Sequence, residues 1–172
     1  LPYFDLEIPL VEDARRIVTA QNGRLKVGLL WHSSSWNPAR SVPFIDLLRL
    51  VNTAGVQFFN LQVGTPAQDL NYAPQVIDIT HPGEDIAATA TKVSLLDLVI
   101  TVDTMMAHLA GTLGVPVWIL LPNRADWRWM TETSRSPWYP SMRLFRQVAP
   151  GDWLSAIDKV AVALQATVAS MP

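Results

Sequence analysis

The segment LVITVDTMMAHLAGTLGVPVWIL, residues 98–120, constrains the possible folds more than any other part of the chain. Two runs of apolar residues predict buried strands: LVITV, residues 98–102, at its start, and VWILL, residues 117–121, which extends one residue beyond its end. The residues between them predict a helix over 104–113 that ends at Gly114. The segment therefore reads as a strand, a helix and a second strand. Neither strand has an alternating polar face, which is typical of a parallel sheet that is covered on both faces.

The same alternation of strands and helices extends over the rest of the 172 residues. The other predicted strands lie at 25–31, 56–62, 76–80 and 142–147. The other predicted helices begin around Glu12, after Ser41, around Glu84 and after Asp152, with Ser41 and Asp152 as N-caps and Gly55 closing the second of them. Right-handed crossovers between such strands lead to an α/β fold with a doubly wound, mostly parallel Rossmann-like sheet and helices on both faces.

The first residues of the chain differ in character from the rest. Residues 1–24 contain one predicted short helix, at 12–19, but no core strand. We interpret them as an arm or linker from a missing N-terminal domain, and residues 25–172 as a single Rossmann-like domain. The chain length suffices for one hydrophobic core and is short for two. Because the sequence starts at Leu1 and not at Met, it is expected to be part of a longer polypeptide.

The composition argues against several classes of protein. The absence of cysteine rules out a disulfide framework and a thiolate site, and fits a reducing, cytoplasmic location. A net charge of −2 without a basic run argues against nucleic-acid binding, and no apolar run reaches the roughly 18 residues that span a bilayer. The three histidines, His32, His81 and His108, are not spaced as metal ligands, so no metal site and no cofactor are predicted.

Polar residues interrupt the apolar segment directly after the LVITV strand. Asp103 and Thr104 stand at the strand–helix junction, and His108 follows one helical turn later on the same face as Thr104. Ligands of open α/β sheets bind at such junctions, where the helix N-terminus offers free N–H groups and a positive dipole to an anion. Two other interpretations stay open from spacing alone: Asp103 as a simple N-cap, and His108 as a buried core residue.

Two further strand ends bring polar groups to the same edge of the sheet. The loop HSSSWNPARS follows the first predicted core strand and contributes Ser33, Ser34 and Arg40, while Gln62 ends the next strand. Hydroxyls can donate to phosphate oxygens, and an arginine can neutralise a diphosphate. An ordinary solvated loop would have a similar composition. Three polar strand ends on one edge nevertheless predict a phosphate-binding site there.

Several stretches resemble a known family. DLVITVDTMMAHLAGTLGVPVWILLP, together with DWRWM and SPWYPSMRLFRQ, is similar to the C-terminal domain of heptosyltransferase-like glycosyltransferases, above all to the bacterial branch fused to tetratricopeptide repeats. LKVGLLW, FFNLQVG and the opening LPYF, which is similar to the linker between the two domains, extend the resemblance over most of the chain. Met105 stands where heptosyltransferases have a glycine after Asp-Thr, so ADP-heptose is not assumed as the donor.

The resemblance implies one half of a GT-B fold, the half that holds a nucleotide-diphosphate sugar for metal-independent transfer of a hexose or heptose to an acceptor hydroxyl. Asp103, Thr104 and His108 match the family's Asp-Thr…His element at the diphosphate and sugar. Arg40 matches a basic residue that meets the phosphates, and Gln62 lies near the nucleoside. In this family the general base belongs to the N-terminal domain. The resemblance therefore implies that His108 and Arg40 stabilise the leaving group and that the isolated chain is inactive.

Alternatives to an active transferase half stay open. The chain could be an inactive GT-B remnant that binds nucleotides or serves as a scaffold for protein interactions. A phosphate-binding regulatory domain of the flavodoxin type would have an acidic cluster at its first strand end, which this sequence lacks. Trp127, Trp129 and Trp138 could stack on a base or a sugar, but a structural role in pinning the proline-rich loop is favoured.

Overall fold

One six-stranded sheet forms the centre of the computed structural model, which describes residues 12–22 and 24–171. The strands are β1 Leu25–Leu30, β2 Val56–Asn60, β3 Ile77–Asp78, β4 Leu98–Val102, β5 Val117–Leu121 and β6 Met142–Arg146. Their order in the sheet is β3-β2-β1-β4-β5-β6, and each neighbouring pair is parallel. The predicted doubly wound α/β fold is thereby confirmed.

Helices cover both faces of this sheet. They are α1 Glu12–Thr19, α2 Phe44–Val51, α3 Ile86–Ser94, α4 Met105–Thr112 and α5 Trp153–Ala169. Helix α2 packs against α5, and α3 packs against α4. The connections between parallel strands are right-handed, and the chain moves from the middle of the sheet toward one edge and later toward the other. The pair α2 and α5 therefore lies on one face of the sheet, and the pair α3 and α4 lies on the opposite face. Within the described residues, no helix is both long and apolar enough to cross a bilayer.

The hydrophobic core explains why the central strands read as unbroken apolar runs. β4 and β5 are buried along their whole length, because helices lie on both of their faces. Val18 of α1 also joins the core with 1% of its surface exposed. Residues 1–11 of the predicted arm lie outside the described residues, and the predicted domain boundary at residue 24 stays a prediction.

The predicted N-cap at Ser41 is wrong. The helix begins three residues later, at Phe44, with Pro43 at its N-cap position and no side-chain cap. Ser41 instead follows a short 3-10 segment, Pro38–Arg40, and its hydroxyl accepts a hydrogen bond of 3.0 Å from the amide of Ser33. Because this hydroxyl closes the loop after β1, it is not available to the helix.

The predicted end of the same helix at Gly55 is also wrong, because α2 ends at Val51 with Asn52 as its C-cap. The predicted starts of α5 and α3 agree better with the structure. Asp152 caps α5, with its Oδ1 accepting from the amide of Ser155 at 3.1 Å, as predicted. α3 begins at Ile86 and not around Glu84, because the carboxylate of Asp85 accepts from the amide of Ala88 at 2.8 Å and caps the helix there.

The strand order places a crevice at the centre of the sheet. β1 and β4 are neighbours, but the chain leaves β1 toward β2 and leaves β4 toward β5. The loops after these two strands therefore diverge at the carboxyl edge, and such a switch point is where open α/β sheets bind ligands.

Candidate functional site

Two clefts open at the carboxyl edge of the sheet and meet at the start of α4. The larger, of about 890 Å³, lies among the loops after β1, β2 and β3. The smaller, of about 300 Å³, lies between the loop after β1, the start of α4 and the segment around Arg128. Ser34, Thr104 and Met105 line both clefts, so the two form one continuous groove.

The N-terminus of α4 stands at this meeting point without a side-chain cap. Thr104 is the N-cap residue, but its hydroxyl lies 3.4 Å from the hydroxyl of Thr101 and makes no bond to the helix amides. The described part of the chain shows no hydrogen bond from the amides of Met105 and Met106. Asp103 precedes the N-cap, so its interpretation as a simple N-cap is wrong. Two unpaired donors and the positive end of the helix dipole thus face the groove.

Arg40 joins the ends of β1 and β4 through an ion pair. Its Nη1 donates to the backbone oxygen of Asp103 at 3.1 Å and lies 3.5 Å from Oδ2 of the same residue. Its Nη2 donates to the hydroxyl of Ser34 at 3.3 Å, and its guanidinium carbon lies 4.5 Å from the ring centroid of Trp36. The side chains of Arg40 and Asp103 are only 14% and 3% exposed. Arg40 is therefore partly engaged by the protein before any ligand arrives.

His108 lies in the smaller cleft and is half-buried, so it is not a sealed core residue. Its Nδ1 lies 3.1 Å from the hydroxyl of Tyr139, and its ring stacks on Trp129 at a centroid distance of 5.4 Å. Burial and the nearby charge of Arg128 hold the pKa of His108 below its ordinary value, and Asp103 offsets them only in part. The neutral form of the imidazole therefore predominates at pH 7. Nε2 has no hydrogen-bond partner among the described residues and is not a buried atom.

Ser33 and Gln62 line the larger cleft, but their polar groups support the loops that form it. The hydroxyl of Ser33 lies 3.3 Å from that of Ser41. Oε1 of Gln62 accepts from the amides of His32, at 2.8 Å, and Trp31, at 3.3 Å. The structure thus brings Ser34, Arg40, Asp103, Thr104 and His108 together around the smaller cleft. It places Ser33 and Gln62 in the larger cleft, where their polar groups support the loops.

The far wall of the larger cleft, formed by the loop after β3, was not predicted as part of the site. Asp78 accepts three hydrogen bonds of 2.9 Å at Oδ1, from the amide and hydroxyl of Thr80 and from Nδ2 of Asn60. Burial alone would raise the pKa of Asp78, but these hydrogen bonds and the charge of Lys92 lower it below its ordinary value. The sequence signal that could have found this wall is Thr80, the polar residue that ends the predicted strand 76–80.

A buried ion pair stabilises this far wall of the larger cleft. Nζ of Lys92, in α3, lies 2.6 Å from Oε1 of Glu84 and also donates to the backbone oxygen of Ile79. The side chain of Lys92 is 2% exposed, and that of Glu84 is 11% exposed. Because Glu84 itself lines the larger cleft, this pair fixes the position of the wall.

The three tryptophans after β5 have different surroundings. Trp129 is fully buried, and Nε1 of Trp138 donates to the backbone oxygen of Arg128 at 2.9 Å, which supports the structural role predicted for both. Trp127 is 71% exposed and meets Trp138 edge to face at 6.4 Å. Among the described residues, no group of three or more His, Asp or Glu side chains is arranged to hold a metal ion.

Comparisons with known structures identify this architecture. The chain superimposes on a glycosyl transferase of family 9 from Veillonella parvula with a TM-score of 0.66 and 15% identity, over 96% of this chain and 54% of that one. It also superimposes on E. coli ADP-heptose heptosyltransferase II with a TM-score of 0.64 and 13% identity, over 94% of this chain and 54% of that one. This chain has the fold of half a GT-B glycosyltransferase. An E. coli heptosyltransferase solved with ADP gives a TM-score of 0.58 at 16% identity, over 92% of this chain and 49% of that one.

At the level of sequence, this chain is similar to Protein FlbA of Caulobacter vibrioides. The two are 34% identical over 158 residues, which cover 84% of this chain and 26% of that protein. The chain thus spans about a quarter of this relative and about half of the structures it matches. No protein-family model matches the chain.

The lowered pKa of His108 predicts that the stability of this chain depends on pH. The pKa of an unfolded histidine is about 6.5, so the unfolded chain binds this proton more tightly than the folded chain. His108 should therefore make the folded state less stable as the pH falls from about 7 to 5. We expect His108→Gln to lose less stability than the wild type over this range in urea unfolding. Equal losses in the two proteins would contradict the inferred burial of the neutral ring.

Proposed function

We propose that this chain is the donor-binding half of a glycosyltransferase and holds a nucleotide-diphosphate sugar in the groove at the carboxyl edge of the sheet. The observation that carries the proposal is the uncapped N-terminus of α4. The amides of Met105 and Met106 have no partner among the described residues. Met105 lines both clefts, and His108 lines the smaller cleft with it.

The charges around the smaller cleft suit a diphosphate. Arg40 and Arg128 line it together with one acid, Asp103, so the positive charges exceed the negative ones. The hydroxyl of Ser34 and the N–H of a neutral His108 would add donors to the two helix amides. The larger cleft has the size of ordinary small-molecule sites and would hold the nucleoside.

The arrangement fits the chemistry of glycosyl transfer. Negative charge develops on the diphosphate as the glycosidic bond breaks, and fixed donors aimed at that charge lower the barrier. The helix amides, His108 and Arg40 can do this without a metal ion. The acceptor hydroxyl also needs a general base, which would come from the domain that completes the GT-B fold. We therefore expect the isolated chain to bind nucleotides weakly and to transfer no sugar.

Replacement of Met105 by proline tests the proposal at the amide itself. Met105 is the first helical residue and is 55% exposed, and Thr104 before it is extended at φ −142° and ψ 175°, a conformation that a following proline favours. Met105→Pro removes one N–H without loss of a helix hydrogen bond. We expect it to weaken binding of ADP, UDP or GDP roughly tenfold, the magnitude of a hydrogen bond to a charged group.

Met105→Ala is the matched control, because it removes the same side chain and keeps the amide. Calorimetry with the three diphosphates and their sugars compares the variants, and urea unfolding checks that both are folded. Equal affinities of Met105→Pro and Met105→Ala would place the diphosphate elsewhere. No heat at millimolar concentration with any nucleotide would overturn donor binding and favour an inactive GT-B scaffold.

A further inference from the structure

Two aromatic residues from the segment between β5 and β6 hold the imidazole of His108. Trp129 stacks on it, with 5.4 Å between the ring centroids and 25° between the planes. Tyr139 meets it edge to face at 5.8 Å, and its hydroxyl lies 3.1 Å from Nδ1. Trp129 is fully buried. The ring of His108 is therefore fixed by side chains from outside its own helix.

Tyr139 is itself held tightly in place. A Cβ atom at Gly111, one turn after His108 in α4, would lie only 2.7 Å from Cδ1 and 2.8 Å from Cγ of Tyr139. The ring of Tyr139 thus rests directly on the helix where a side chain is missing. The amide of Tyr139 lies 3.3 Å from the hydroxyl of Ser136, which accepts from it, and its backbone oxygen accepts from the amide of Met142 at 3.0 Å.

The direction of the hydrogen bond between Tyr139 and Nδ1 of His108 determines which nitrogen of the imidazole carries the hydrogen. A neutral imidazole has one donor and one acceptor nitrogen, whereas phosphate oxygens only accept. The charged groups that act on the ring are Arg128 and Asp103, and the partner of Nδ1, the hydroxyl of Tyr139, is able to donate or accept. If Tyr139 donates to Nδ1, the hydrogen must be on Nε2, the nitrogen without a protein partner.

We propose that Tyr139 is a positioning residue for His108, which it holds as the neutral tautomer with hydrogen on Nε2, so that this N–H donates to an anionic oxygen in the smaller cleft. The identity of the anion, the diphosphate of a nucleotide, rests on the proposed function; the tautomer does not. Because a hydroxyl can also accept, the same contact persists when the ring becomes protonated.

Long-range ¹H–¹⁵N NMR on the nucleotide-free chain tests the tautomer directly. The wild type should show a single neutral tautomer at His108 with hydrogen on Nε2 above pH 7. Tyr139→Phe should give averaged ¹⁵N shifts from a mixture of tautomers, while Tyr72→Phe, at a tyrosine that is 75% exposed, should leave the His108 signals unchanged. Hydrogen on Nδ1 in the wild type, or no change of the shifts in Tyr139→Phe, would overturn the proposal.

Nucleotide affinity provides the second readout. Tyr139→Phe should weaken ADP or UDP binding roughly threefold to tenfold, the size of one neutral hydrogen bond, and should have no further effect in a His108→Ala background. An equal loss in that background would mean that Tyr139 acts on structure alone. Should no nucleotide bind to any variant, the NMR result still decides the tautomer, and only the proposed function fails.

The variant Gly111→Ala tests the position of the Tyr139 hydroxyl, because it keeps this hydroxyl in the protein but displaces it. Alanine is the better helix former, but its methyl group would collide with the ring of Tyr139 and displace it from its position beside His108. We expect the same tautomer mixture as in Tyr139→Phe, and an unchanged His108 spectrum in a folded Gly111→Ala variant would count against the proposal.

Discussion

Lys92→Met is expected to lower the free energy of unfolding by about 3–5 kcal/mol, because it removes one partner of a buried ion pair. Glu84 would keep its charge while its side chain is only 11% exposed, and the backbone oxygen of Ile79 would lose its donor. Methionine has nearly the length of the lysine stem, so the loss reports the charge and the hydrogen bonds more than a cavity. Urea unfolding measures it.

The double variant Glu84→Gln with Lys92→Met separates the unpaired charge from the lost packing. If the unpaired carboxylate of Glu84 causes most of the loss of stability in Lys92→Met, the double variant should regain a large part of that stability. Lys159→Met, at an exposed lysine of α5, is the control and should change stability by less than about 0.5 kcal/mol. A loss in Lys92→Met no larger than in this control would mean that the pair contributes nothing to the wall of the larger cleft.

Arg40→Met should lower the free energy of unfolding by about 3 kcal/mol and also weaken nucleotide binding. Asp103 is 2% exposed, and Arg40 is the partner of its carboxylate among the described residues, so the variant leaves a charge buried without compensation. It also removes the link to Ser34 and one of the two positive charges of the smaller cleft. Arg40→Lys should restore little, because an ammonium group does not reproduce the planar fork of donors.

Arg124→Met is the matched control for these effects. Arg124 is exposed in the loop after β5, lines a different cleft and forms no ion pair among the described residues. It should leave both stability and affinity close to those of the wild type. A double variant with Asp103→Asn should recover stability but not binding. Recovery of both would show that Arg40 acts on the diphosphate only through the fold.

The apolar runs in the sequence predict the central strands of the sheet. β4 and β5 lie at the predicted residues, because fully buried parallel strands need unbroken apolar side chains. β3 was predicted over 76–80 but pairs only at Ile77–Asp78, since it lies at the edge of the sheet next to β2 alone. Local pattern predicts that a strand exists there, and tertiary pairing sets its length.

Sequence patterns could predict only those features of the site that depend on residues close together in the sequence. The position of Thr104 and His108 at the start of a helix followed from strand and helix periodicity. The partners of the site residues did not, because they are distant in sequence: Arg40 meets Asp103 across 63 residues, and His108 meets Tyr139 across 31. Such contacts form because loops after different strands converge in the folded protein. The spacing of residues within one helix or strand does not predict this convergence.

The division of the groove into two clefts that share only Ser34, Thr104 and Met105 has an evolutionary consequence. One end is lined by α4 and the arginines, and the other by the loops after β2 and β3. If the proposed function holds, mutations in residues 78–84 would change the part of the groove proposed for the nucleoside and leave the part proposed for the phosphates unchanged. Related domains could then differ in the nucleotide they bind while they keep the same residues around the smaller cleft.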